Sequence, residues 1–164
     1  MAPRGEFILT SLLAATGLLV AIVLLLDIDR RMPGMREMLA ALKLVPAVWL
    51  ATGLGAWCVS RWHGRALRLG RRWAPGGMTL RTLLIVFLLF PFALATWLLA
   101  ATGLDQLAAA SPGHWQESLG WLPVIVFYGS MIAVVFGAVP AFILEYFVTR
   151  RYLRRLAGIT TGQS

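Results

Sequence analysis

Four long apolar stretches dominate this chain, and each is about as long as a helix must be to cross ~30 Å of hydrocarbon. They run over 7–26, 42–60, 82–104 and 119–149. The first and third carry no charge at all, the second begins beside Lys43, and the fourth holds Glu145 near its end. A backbone inside a membrane must satisfy its own N–H and C=O groups, which leaves a helix or a closed barrel. These stretches do not alternate apolar and polar residues as barrel strands do. The expected fold is therefore an all-α integral membrane protein, with four transmembrane helices in a small bundle. Of the 164 residues, 59% are hydrophobic and 13% charged, against about 45–50% and ~25% in a soluble domain. What lies outside the spans is too small for a second domain, so residues 1–164 read as one membrane unit.

Arg4 precedes the first stretch as in a signal peptide. The stretch is longer than such a segment needs, and Asp27-Ile28-Asp29-Arg30 follows in place of a small-residue cleavage site. An uncleaved helix is the expectation.

Charge sets the orientation. The segment 61–81 carries Arg61, Arg65, Arg68, Arg71, Arg72 and Arg81 and no acid. The tail, 150–164, carries Arg150, Arg151, Arg154 and Arg155, again without an acid. Loop 105–118 has Asp105 and Glu117 and no Lys or Arg, and loop 27–43 is mixed. Cytoplasmic loops are enriched in Lys and Arg, so both termini and a basic central loop are placed in the cytoplasm. The net charge of +8 then belongs to membrane topology and not to nucleic-acid binding, because the arginines abut spans. Fourteen arginines against one lysine, with abundant Ala, Leu and Gly, suggest a bacterial inner membrane.

Helices associate in lipid by close packing, which small residues permit. Ala47, Ala51 and Gly55 are spaced by four in the second span, and Gly129, Ala133, Gly137 and Ala141 in the fourth. Such stripes either pack inside their own bundle or face outward to receive another membrane protein or a second copy. In the central loop, Arg61, Arg65, Arg68 and Arg72 share one helical face, with Trp62 and Trp73 one residue on. The tail sets Arg150, Arg151, Arg154 and Arg155 against Tyr152, Leu153 and Leu156. Both segments are expected at the interface, tryptophans at the acyl boundary and arginines on anionic lipid phosphates.

Chemistry-bearing residues are few. Glu145 is the one acid inside a span, which makes it a functional candidate. No cation lies at i+3 or i+4 of its own helix. If it is paired, as in a structural clamp, the partner is Arg61 or Arg81; otherwise it is a coupled transport site or snorkels to the interface. Asp27, Asp29, His114 and Glu117 are the remaining material for an enzyme, and they lack the spacing of a metal or acid/base centre. Cys58 is alone, which excludes a disulfide framework or a thiolate zinc site. No cofactor, metal or catalytic set is expected, and whether loops 27–43 and 105–118 hold a site is left open. The leading expectation is a non-catalytic subunit or scaffold of a membrane complex. The alternative is a small oligomeric transporter, or a flippase for lipids or lipid-linked sugars, working through Glu145.

Overall fold

The computed structural model describes residues 3–26, 35–71, 73–108 and 115–161. They form four helices: α1 (Pro3–Leu26), α2 (Met35–Arg68), α3 (Pro75–Ala108) and α4 (Trp115–Thr161). Each is long and apolar enough to cross a membrane. Large apolar side chains such as Leu84, Leu88, Phe92, Phe127 and Val135 are exposed. That outer surface suits lipid and marks a multi-pass membrane protein.

Each helix packs on its sequence neighbours, and α4 closes the ring against α1. Among the described residues, no Cα of α1 comes within 8 Å of one in α3, nor one of α2 within 8 Å of α4. A ring of four helices whose diagonal backbones stay apart leaves its axis to be filled by side chains alone, as His63 and Tyr152 do at the basic end.

The helices outrun the expected spans, and the basic loop 61–81 is mostly helix. α2 continues through Arg68 and α3 begins at Pro75, so only positions 69–74 join them. Charged residues close a span without ending a helix. What ends α2 is Gly70, at φ +71°. There the Arg71 N–H reaches the Ala66 carbonyl at 2.9 Å and the Gly70 N–H the Leu67 carbonyl at 3.0 Å, a Schellman stop. Pro75 suits the first turn of α3, where its missing N–H has no intrahelical role. The tail 150–164 is likewise the end of α4 as far as Thr161. At 47 residues, α4 is about 70 Å long at 1.5 Å per residue.

The buried core sits at the basic end of the ring. Phe7, Ala56, Val59, Met78 and Tyr152, drawn from all four helices, form one cluster. The Phe7 and Tyr152 rings lie 4.8 Å apart. At the rim, Glu6 of α1 accepts from Arg151 at 3.1 Å and from Arg155. This clamp brings the start of α1 and the end of α4 to one side.

Candidate functional site

Just inside the basic-end plug, the four helices each contribute one buried polar side chain: Ser11, Thr52, Thr82 and Glu145. All four line a central hollow of about 120 Å³. Its other walls are apolar, with Leu18 and Ile22 from α1, Val48 from α2 and Phe87 and Phe90 from α3. Beside Glu145, the α4 wall is made of Ala133, Gly137, Ala141 and Leu144, the first three with short side chains. These short side chains face the axis, where no opposite helix comes close enough to replace the missing volume. The α4 small-residue stripe thus opens the hollow together with Ala14 and Ala15 of α1.

Glu145 is 6% exposed. The Ser11 hydroxyl donates to its Oε1 at 3.1 Å. Neither expected arginine reaches it. Arg61 lies over the Trp57 ring, 5.4 Å from its centroid, and Arg81 lies 4.1 Å over Trp73. Among the described residues, no cation is within ion-pair distance of Glu145. Thr82 donates back to the Met78 carbonyl at 3.1 Å, so its hydroxyl proton is committed to its own helix. One turn toward the plug, the buried Thr79 and Thr149 hydroxyls have no protein partner.

The two stripes have different surroundings. In α2, Gly55 meets α3 so closely that an added Cβ would stand 2.6 Å from Val86 Cγ2. Three turns earlier, the Trp97 indole donates to the Lys43 carbonyl. Contacts at both ends thus place Ala47, Ala51 and Gly55 along α3, and all three are buried. In α4, an added Cβ on Gly129 would meet Leu94 of α3 at 3.1 Å, and one on Gly137 would meet Ile22 of α1 at 3.6 Å. Both stripes therefore face the inside of the bundle.

The interfacial set is divided. Arg61, Trp62, Arg65 and Arg68 are exposed on the last turns of α2, while Arg72 lies outside the described residues. Trp73 is half-buried: it packs 5.4 Å from His63 and under Arg81. His63 is itself buried beside Tyr152, their centroids 6.0 Å apart. Arg151 and Arg155 are engaged by Glu6, whereas Arg150 and Arg154 point outward. Asp27, Asp29 and His114 lie outside the described residues.

Sequence reasoning singled out Glu145 and missed the three hydroxyls around it. The signal was present as depth: Ser11 and Thr82 lie a few residues inside the basic ends of their helices, and Thr52 lies two turns before Ser60. Thr10 beside Ser11, and Thr79 and Arg81 beside Thr82, made the first two look like ordinary span ends. Glu6 was missed because it falls one residue before the first span. No family model, curated protein or solved structure matches the chain.

Proposed function

We propose that this protein is a small membrane carrier whose central hollow receives an amphiphile. The apolar body lies among Leu18, Ile22, Phe87 and Phe90, and a cationic head meets Glu145. One observation carries this reading: Glu145 is buried on the wall of the hollow with a single hydroxyl donor and no cation partner among the described residues. A carboxyl in apolar surroundings is expensive unless something compensates it. A purely structural acid at this depth would be expected to sit in an ion pair. The volume favours a slim ligand, since an apolar cavity of about 150 Å³ accommodates benzene.

The arginines at the ends of α2 and α4 support placing that end in the cytoplasm, with both termini inside. The arginine-rich composition supports a bacterial inner membrane. The reading as a non-catalytic subunit or scaffold stands beside this one, and it does not depend on the stripes alone. With both stripes turned inward, a partner helix would have to dock on outer faces covered with Leu, Phe and Val.

The test uses n-hexyltrimethylammonium, an alkyl chain with a fixed positive head that does not cross a bilayer unaided. Purified protein in nanodiscs should bind it saturably, and proteoliposomes should show its counterflow. Glu145→Gln should reduce both at least tenfold, with abundance and helicity unchanged. Equal binding and counterflow by Glu145→Gln would refute the reading.

A further inference from the structure

A second hollow lies outside the ring, in the groove between α1 and α2 at the basic end, and has a volume of about 240 Å³. Arg4, Arg61, Arg65 and Arg68 line it together with Ile8 and Trp57. The arginines of α2 follow a spacing of four and three, so they stack up one edge of the groove. Arg4 faces them from α1. It can cross to α2 because Gly64 has no side chain: an added Cβ there would collide with the guanidinium.

The charge in this groove meets the Trp57 ring, which Arg61 overlies, and no acid: among the described residues, no carboxylate lies within ion-pair distance of Arg61, Arg65 or Arg68. The nearby acid of α1, Glu6, is turned to the opposite side and held by Arg151 and Arg155. Like charges gathered without a counter-charge repel one another, and an anion relieves that repulsion. Guanidinium forks match the geometry of phosphate oxygens. The Ser60 hydroxyl donates to the Trp57 carbonyl at 2.8 Å, so recognition falls to the arginines.

The opposite wall selects the source of the phosphate. Ile8 and the half-exposed Trp57 ring continue the groove from the arginines onto the apolar length of α1 and α2. A free phosphate has no use for that wall, whereas a phospholipid places its headgroup on the cations and its acyl chain along the helices. We propose that this α1–α2 groove is a binding site for one anionic phospholipid, its phosphodiester held by Arg61, Arg65 and Arg68 with Arg4 closing from α1. This is a defined site on one side of the bundle, distinct from general attraction of a basic face to the membrane, and it does not depend on the carrier reading.

Native mass spectrometry of the full chain, released from detergent micelles containing phosphatidylglycerol or phosphatidylcholine of identical chains, tests it. One phosphatidylglycerol per chain should be retained, and phosphatidylcholine should be retained at least tenfold less. R65Q/R68Q should weaken retention by about tenfold or more, given the ~1 kcal/mol that each basic residue contributes near anionic lipid. R61Q/R65Q is the second variant, and helicity checks the fold of both. R150Q/R154Q removes the same charge from exposed positions of α4 and should leave retention unchanged. Equal loss in R150Q/R154Q would overturn the site in favour of a diffuse basic face. Displacement of the lipid by millimolar inorganic phosphate would overturn the lipid as its occupant, as would equal retention of phosphatidylcholine.

Discussion

Gly137 separates a hollow from a helix contact. An added Cβ there would stand 3.6 Å from Ile22 Cδ1, an ordinary van der Waals distance, so Gly137→Ala fits without strain. It should stabilise the helix by about 1 kcal/mol through propensity alone. Gly137→Leu gains nearly the same propensity and also sends three further carbons toward the central hollow. An empty cavity costs about 24 cal/mol per Å³. The 120 Å³ here therefore sets a ceiling of about 3 kcal/mol on what filling can return. Filling a third to a half returns about 1–1.5 kcal/mol. Leu should thus exceed Ala in stability by about 1 kcal/mol, read as the midpoint of unfolding in mixed micelles of rising SDS fraction. The same pair should divide in function, Ala keeping n-hexyltrimethylammonium binding and Leu losing it. If Leu is less stable than Ala by 1 kcal/mol or more, the stripe is a tight helix contact and the hollow does not exist. If the two are equal, the side chain points to lipid, and the reasoning fails in the other direction.

Gly55→Ala should destabilise the bundle by about 1–3 kcal/mol, because its Cβ would drive into Val86, which is stiff at χ1. Val86→Ala in the same chain should recover most of that loss, and a double-mutant cycle in mixed micelles would detect the coupling. Gly70→Ala should lower stability by about 1–2 kcal/mol, the cost of a left-handed backbone conformation for a residue with a Cβ. Glu6→Gln should cost less than about 1 kcal/mol, because the arginine partners are half-exposed or more. Added salt should shrink that difference further in the same unfolding assay.

Four apolar runs were enough to announce four helices, because a membrane backbone satisfies itself as helix or closed barrel and these runs lack the alternation of barrel strands. Their ends were not legible in the same way. Arg61 to Arg68 look like a loop by charge, yet charge at a membrane surface does not unwind a helix. The stop lies at Gly70, where a positive φ and two carbonyl caps coincide. Glu145 stood out by chemistry alone. Its partner Ser11 did not, since the pairing depends on how α1 and α4 are registered across the bundle. Trp73 was assigned to the lipid boundary by its spacing from Trp62. That spacing assumes one continuous helix, and α2 stops at Gly70 before Trp73 is reached, which sets its ring against His63 and Arg81.

The two small-residue stripes show why a motif cannot be read without its opposite wall. Both repeat every four residues, and both permit a neighbour to come close. The α2 stripe runs along an adjacent helix of the ring, and α3 takes up the offer: Val86 fills the place where a Gly55 side chain would be. The α4 stripe winds slowly around its helix, since residues spaced by four drift by about 40° per step. At Gly129 it faces α3, and by Gly137 it faces α1. In between it crosses the axis, and the α2 backbone on the far side stays apart. Closeness is offered there and nothing accepts it, so the same residue pattern that tightens α2 against α3 opens the centre of the bundle. The one acid of the spans lies on the next turn of that wall, four residues beyond Ala141, which is why a packing motif and an ionisable group that seemed unrelated along the chain belong to one site.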